Sequence, residues 1–327
     1  MREDPGRPIK PSQRRSTGYA LKALAVIGIV AAFAALGFVA TTIDENVGGV
    51  GESGQAVFSV VFYIVMGATA VLVYRLYRRG RQHTALLGEE VISRDTRPPI
   101  VYLRSFTDEV GIAREEEDLA TIFGDVGPFV AIGRPGDPLP PLGASRFYVA
   151  DSDWQGFVAG LLRKASLVIV LAGRTQGLAW EAAQCRQLLD PRRLVILVPL
   201  EEANYNSFRE SFRSGARIEL PQHHEFWAGG YRTKLLCGAI VFDSAWRPQI
   251  RLFERALWRG YRFAYRLKGT GWRPKQARLW LMMHSLGTRA GLPLREPGFN
   301  WALAYVVLSL FLVVVLVGLA LLGAFGK

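Results

Sequence analysis

The stretch LVIVLAGRTQGLAWEAAQCRQLL, residues 167–189, decides the fold. Its first five residues, Leu167–Leu171, are all apolar without alternation, which indicates a strand that is covered on both faces. A glycine-containing turn, 173–177, follows the strand. From 178 to 189 apolar residues then recur at steps of three and four, as they do on the inner face of a helix. A buried strand that leads through a turn into a helix is typical of a parallel α/β sheet.

The same alternation extends in both directions from this stretch. Short apolar runs predict four further strands, at 100–103, 129–132, 194–198 and 239–242. Helical periodicity predicts helices between them, at 115–123, 154–164 and 204–213. Five buried strands separated by helices predict a doubly wound, flavodoxin-like α/β domain with a parallel sheet over residues 99–245. In such a domain ligands bind at the carboxyl ends of the strands.

Polar residues and glycines follow three of the predicted strands directly. Guanidinium groups suit phosphate or carboxylate, glycines allow close approach of the backbone, and a carboxylate lies in the first turn of the helix after the third strand. This combination predicts a nucleotide site; the alternative is that the glycines only turn the chain while the arginines are solvated. The candidate ligand-binding residues are Arg104, Ser105, Asp108, Arg134, Gly136, Arg174 and Trp180, and the candidate catalytic residue is Glu181.

Three of these segments resemble a Toll/interleukin-1 receptor (TIR) domain. They are Ser105-Phe106 after the first strand, Arg134-Pro135-Gly136 after the second, and the adjacent Trp180 and Glu181 after the third. The resemblance covers residues 99 to about 200 and implies a TIR-like domain on a bacterial-type multi-span membrane protein. Enzymatic members of the family cleave the nicotinamide glycosidic bond of NAD with a glutamate, which the resemblance places at Glu181. The resemblance also implies self-association through this domain.

Two classes of function follow. The first is an effector that binds or cleaves NAD or a related nucleotide, in which Glu181 would stabilise an oxocarbenium-like transition state and Arg104 or Arg134 would hold the diphosphate. The second is a non-catalytic signalling module that senses a ligand, or binds a similar domain, and transmits the event to membrane helices. In that case Glu181 is a carboxylate that the helix dipole favours at a helix N-terminus. No cofactor is certain, and NAD is the candidate substrate.

Three long uncharged stretches lie outside the predicted domain. They run for 21, 22 and 30 residues without a charge, whereas a helix needs about 20 apolar residues to cross the hydrocarbon core of a bilayer. The predicted transmembrane helices are 18–43, 54–75 and 299–326. For the first, the alternative is a signal peptide, because a basic segment followed by an apolar core has that form.

The distribution of cations predicts the orientation. The tail, 1–17, and the residues that follow the second predicted span are rich in Arg and Lys, whereas the loop 44–53 contains acidic residues and no cation. The positive-inside rule therefore places the tail, the linker 76–98 and the α/β domain in the cytoplasm, and the C-terminus outside an inner or plasma membrane.

The net charge of +12 is concentrated beside the predicted membrane. Residues 82–245 carry 17 Lys and Arg against 21 Asp and Glu, whereas residues 246–298 carry 12 against 2. The basic segment 246–298 interleaves arginines with aromatic residues, which predicts juxtamembrane helices that bind anionic lipid headgroups. A nucleic-acid partner is therefore not expected. The spacing of Cys and His predicts no metal site.

Overall fold

The computed structural model describes residues 10–46, 52–105, 109–124, 126–134, 136–150, 152–227, 232 and 235–253, together with residues 283, 286, 291 and 292. The predicted span 299–326, most of the basic segment 246–298 and the candidate Asp108 lie outside the described residues. Two long helices, α1 (Arg15–Asn46) and α2 (Glu52–His83), precede an α/β domain.

The domain contains the predicted strands and helices in the predicted order, together with one further helix and two further strands. The elements are, in chain order, α3 (Gly88–Arg94), β1 (Ile100–Leu103), α4 (Glu109–Phe123), β2 (Phe129–Ile132), β3 (Ser145–Phe147), α5 (Trp154–Lys164), β4 (Leu167–Leu171), α6 (Gln176–Leu188), β5 (Leu194–Pro199), α7 (Glu202–Ala216), β6 (Leu236–Phe242) and β7 (Pro248–Leu252). Short 3₁₀ helices lie at Pro191–Arg193 and His223–Trp227.

The sheet contains seven strands in the order β3-β2-β1-β4-β5-β6-β7. β1 to β5 are parallel, and Ile100 of β1 pairs with Phe129 on one side and with Leu167 on the other. Every residue of β1, β4 and β5 is buried, because helices cover both faces of the sheet. The α/β class is therefore confirmed, and each of the five predicted strands is present.

The prediction of a wholly parallel sheet is wrong at its last strand. β6 runs antiparallel to β5, with Val195 opposite Val241. After α7 the chain returns to the carboxyl edge of the sheet, where the N–H of Leu200 donates to the carbonyl of Leu235 at 2.8 Å, and β6 begins from there. An apolar run records burial on both faces but not strand direction. The edge strands β3 and β7 were not predicted, because the first is only three residues long and the second is only partly buried.

Helices pack on both faces of the sheet. On one face α5, α6 and α7 bury apolar side chains such as Leu162, Ala182 and Phe208. On the other face α4 buries Leu119 and packs with the described residues near the C-terminal end of the chain. The loops at the carboxyl ends of β1, β2 and β4 lie between these two helical layers, so they are where a ligand can reach the sheet.

α1 and α2 form an antiparallel hairpin with a close helix contact at one end. Gly18 lies against Gly80 and Thr84, and Gly28 lies against Val73 further along. A Cβ atom added at Gly80 would lie 2.8 Å from the carbonyl oxygen of Gly18. The two backbones therefore touch at this point, and glycine is required there for steric reasons.

The outward faces of the hairpin are apolar. Among the described residues, nearly all exposed large hydrophobic side chains belong to α1 and α2, including Val30 at 62% and Ile64 at 65% exposure. By length and composition one stretch of the described chain, Arg15–Ala32, could cross a membrane, whereas the sequence predicts two spans in this part. A signal sequence near an N-terminus meets the same criterion, so both interpretations of the first span stay open.

Ion pairs join the hairpin to the α/β domain. Arg78 Nη2 lies 3.2 Å from Glu117 Oε1 of α4, and Arg81 Nη1 lies 3.5 Å from Glu117 Oε2. Arg15, at the start of α1, lies 2.6 Å from Glu90 of α3. Some of the cations at the domain end of the hairpin are therefore paired with carboxylates of the domain.

Candidate functional site

A pocket of about 190 Å³ opens at the carboxyl ends of β1 and β2 and beside the turn after β4. The chain passes from β1 to β2 and β3 on one side and then returns to β4 and β5 on the other, so the strand order reverses between β1 and β4. At such a reversal the flanking loops diverge and leave a crevice, which is where α/β domains bind ligands. Arg104, Trp154, Thr175 and Glu181 line the pocket, with Leu103 and Leu178 among its apolar residues.

Glu181 is a buried carboxyl group in this pocket. It lies on the inner side of α6 and is 6% exposed. Burial raises its pKa to about 8, and a hydrogen bond from the side chain of Trp154 opposes part of that increase. At neutral pH the carboxyl is therefore mostly protonated, and it can donate as well as accept a hydrogen bond. A carboxyl group with a perturbed pKa inside a cleft is typical of a functional site.

Trp154 contacts both candidate residues of α6. Adjacent residues on a helix point about 100° apart, so Trp180 and Glu181 cannot present the same face. The Trp154 ring packs against the Trp180 ring with centroids 4.9 Å apart, and its indole also bonds Glu181. Trp154 is not among the predicted site residues, because it follows β3, an edge strand that the sequence does not predict.

Arg104 lines the pocket, but its guanidinium group is engaged in a buried charge cluster. Its Nε lies 3.2 Å from Glu116 Oε2, and its Nη1 donates to the carbonyl of Ser105 at 3.2 Å. Arg146 Nη2 lies 2.8 Å from Glu116 Oε1, and the side chains of Glu116 and Arg146 are each 1% exposed. The N–H of Ala144 also donates to Glu116 at 3.0 Å. Two arginines thus share one carboxylate, which fixes Arg104 at the pocket wall.

The other candidate ligand-binding residues that the structure describes lie outside the pocket lining. Arg134 is exposed after β2, and Gly136 has φ 84°, a left-handed conformation that favours glycine. The Arg174 guanidinium points toward α7, where its Nη2 lies 2.5 Å from Glu201 and its Nε donates to Asn204. Ser105 is buried directly after β1. The structure therefore places Arg104 and Glu181 in one pocket and directs Arg174 elsewhere.

A buried cysteine and histidine also lie close together, away from this pocket. Cys237 Sγ is 3.8 Å from His223 Nε2. Trp227 Nε1 donates to His223 Nδ1 at 3.2 Å, so the ring proton is on Nε2, which donates to the carbonyl of Pro199 at 3.0 Å. In this tautomer His223 cannot accept the thiol proton, and burial raises the pKa of Cys237 to about 11. The pair is therefore structural and not an activated nucleophile.

Within the part of the chain that the structure describes, no three His, Cys, Asp or Glu side chains are grouped in a way that could hold a metal ion. No family model matches this sequence, and no curated protein and no solved structure matches it. The resemblance to a TIR domain therefore rests on the short motifs themselves.

Proposed function

We propose that this protein is a membrane-anchored, TIR-like signalling module that binds a nucleotide, with NAD as the first candidate, in the pocket that Trp154 and Glu181 line. The position of this pocket at the reversal of strand order carries the proposal. When the edge strand β3 is left aside, the order β2-β1-β4-β5 is also that of flavodoxin-like domains. Those domains bind a nucleotide cofactor where the strand order reverses. An aromatic ring and a neutral carboxyl suit a heterocycle or a ribose, which offer a flat face and hydrogen-bonding groups.

The size of the pocket limits which part of a nucleotide it takes. About 190 Å³ is less than the roughly 300 Å³ at which pockets for whole drug-sized ligands begin. One ring therefore fits inside, and the remainder of the molecule would lie over the exposed loop after β2. Arg134 and Gly136 belong to that loop, and a guanidinium group there suits a diphosphate.

Helix α4 supports a signalling role because it contacts both the pocket wall and the hairpin. Glu116 pairs with Arg104 in the pocket wall, and Glu117 pairs with Arg78 and Arg81 of α2. A ligand that shifts Arg104 thereby acts on a helix that is ion-paired with the hairpin. Small shifts of a packed helix are a common means by which binding at one site changes another.

A second function, cleavage of the nicotinamide glycosidic bond of NAD, is favoured by Glu181. Titratable groups with raised pKa values inside pockets are typical of general acids and bases. Protonated, Glu181 could donate a hydrogen bond to the ligand; ionised, it could stabilise the positive charge that develops on the ribose.

The same proposal includes the membrane arrangement. The spans are 18–43, 54–75 and 299–326, and the N-terminus and the α/β domain lie in the cytoplasm. The basic segment 246–298 binds anionic headgroups, and the protein self-associates through the α/β domain. The apolar outward faces of α1 and α2 support it, as does the clustering of cations at the domain end of α2.

The test uses full-length protein in nanodiscs. Calorimetry measures the binding of NAD, and chromatography measures the release of nicotinamide. Binding without release supports the signalling module, and release that is lost in Glu181→Gln supports the enzyme. Trp154→Ala is expected to weaken binding at least several-fold, whereas Trp227→Ala, which removes an exposed indole from the 3₁₀ helix 223–227, is not. Binding that is absent in the unmodified protein, or equal in both variants, would contradict the site.

A further inference from the structure

A groove of about 460 Å³ runs along one side of the hairpin, within its apolar part. One wall is formed by α1 between Ala25 and Ala32, and the other by α2 between Met66 and Tyr77. The polar side chains of the groove are those of Thr69, Tyr74 and Tyr77, and the Thr69 hydroxyl donates to the Val65 carbonyl at 2.9 Å. The other eight lining residues are apolar, so the groove offers mainly apolar contact surface.

The shape of the groove suits a third helix. On α1 the lining residues are Ala25, Val26, Gly28, Ile29 and Ala32, spaced as on one side of a helix, and three of these five are Ala or Gly. On α2 the small Ala70 lies among larger residues. In lipid, helices associate chiefly by close packing, and small residues in a groove let a partner backbone approach.

The remaining sequence contains an apolar segment long enough for such a helix. Residues 297–326 contain no charge and are mostly apolar. Leu292 packs on the same face of the sheet as α4, and α4 pairs with Arg78 at the base of the hairpin through Glu117. Residue 299 is seven positions after Leu292, and an extended chain of that length reaches at most about 25 Å. The apolar segment therefore begins within about 25 Å of Leu292, on the face of the sheet where α4 is ion-paired with the hairpin.

We propose that the segment 299–326 packs into this groove of its own chain and completes a three-helix membrane bundle that holds the α/β domain at both ends. The proposal rests on the membrane arrangement proposed above. The short tether favours the same chain over a second copy, because it gives the segment a high effective concentration at the groove. The segment would run parallel to α1, from the cytoplasmic side outward, so that residues about ten positions into it lie near Ala25 to Ala32.

Disulfide cross-linking in native membranes tests the packing. Ala70→Cys places a thiol in the groove, and a second cysteine is placed at each position from 305 to 312 in turn. A protease site between Arg94 and Arg97, which are exposed, allows the chain to be cut after denaturation, so that an intrachain disulfide keeps the two fragments together. The native Cys185 and Cys237 are buried in the domain, and Ala70→Cys alone gives the background.

Val71→Cys is the matched control, because Val71 is the next residue of α2, is 51% exposed and does not line the groove. The expected result is intrachain cross-linking from position 70 that is several-fold above that from position 71 and recurs about every 3.6 residues along the segment. Disulfides between two chains would show that a second copy fills the groove, and equal or absent cross-linking from both positions would show that lipid does. Either result would overturn the proposal.

A separate measurement distinguishes failure of the packing from failure of the membrane arrangement. Lys327→Cys is labelled with a membrane-impermeant maleimide added from outside the cell. Labelling from outside together with no specific cross-link contradicts only the packing. Labelling that occurs only from the cytoplasmic side of inverted vesicles contradicts the three-span arrangement and the packing together.

Discussion

Glu116 and Glu117 are consecutive on α4, yet their carboxylates pair with different parts of the molecule. Glu116 is 1% exposed and lies 3.2 Å from Arg104 in the pocket wall, whereas Glu117 lies 3.2 Å from Arg78 in the hairpin. Neighbouring helical residues point about 100° apart, so a single turn of α4 contacts both the candidate site and the hairpin. The two carboxylates differ in burial, and that difference predicts different energetic roles.

Glu116→Gln is expected to destabilise the domain strongly. It leaves Arg104 and Arg146 close together in a buried site without their shared carboxylate, and removing one partner from a buried ion cluster costs about 3 to 5 kcal/mol. Thermal unfolding of the detergent-solubilised protein, followed by circular dichroism, measures the loss. Glu117→Gln is the control, because partly exposed pairs contribute about 1 kcal/mol or less. Equal losses in the two variants would show that the cluster is not the cause.

Charge exchange tests the contact between the hairpin and the domain. Arg78→Glu places two acids together, and adding Glu117→Arg restores an opposite-charge pair. The expected coupling energy from the double-mutant cycle is about 0.2 to 1 kcal/mol, because the side chains are only partly buried. It should shrink as salt is added, since ions screen exposed charges. A cycle that shows no coupling at low ionic strength would contradict the contact.

Glu181→Gln is expected to change how stability depends on pH. Burial raises the pKa of Glu181 from 4.5 to about 8. Below pH 4.5 the group is protonated in both folded and unfolded chains; between pH 4.5 and about 8 only the unfolded chain releases its proton, so the free energy of unfolding falls over this window. The variant lacks this loss. Its melting temperature, relative to the unmodified protein, should therefore increase from pH 5 to pH 8, and a difference independent of pH would contradict the assignment.

Trp154→Phe is expected to extend the same pH window at its upper end. The indole hydrogen bond lowers the pKa of Glu181, so its removal lets burial raise that pKa further, while the phenyl ring keeps an aromatic contact with Trp180. The melting temperature of Trp154→Phe is measured across pH and compared with that of the double variant Trp154→Phe/Glu181→Gln. The pH at which this difference has completed half of its change is the midpoint of the window. Trp180→Phe keeps the indole of Trp154 and should leave the midpoint unchanged. Identical shifts in both variants would exclude a specific role for the hydrogen bond.

Gly80→Ala is expected to separate the two helices of the hairpin. The new Cβ atom would lie 2.8 Å from the carbonyl oxygen of Gly18, and backbone cannot move aside without displacing α1. Gly67→Ala is the matched control on the same helix, because a Cβ atom there has no neighbour within 4 Å. The melting temperature in detergent should fall for the first variant and change little for the second. Equal melting temperatures would show that the helices do not touch at Gly80.

Much of the site could not be predicted from the sequence. Glu181 and Arg104 were found because each lies shortly after a recognisable buried strand. Trp154, Glu116 and Arg146 were missed, because Trp154 and Arg146 belong to the region around a three-residue edge strand and Glu116 lies within an acidic run that resembles a solvated helix face. Arg174 was selected by its position in a turn, but the neighbouring α7 supplies Glu201 and Asn204 as its partners.

The sequence alone determined the features that repeat locally along the chain. Unbroken apolar runs record burial on both faces, and three-and-four periodicity records a one-sided helix, so strands, helices and the α/β class follow from neighbouring residues. Only the tertiary structure decided the direction of β6, the meeting of Trp154 with Glu181, and the sharing of Glu116 by Arg104 and Arg146. These features depend on residues that are distant in sequence. They form because buried polar groups and the backbone of a strand edge must be hydrogen-bonded or paired, and the fold determines which residues are near enough to do so.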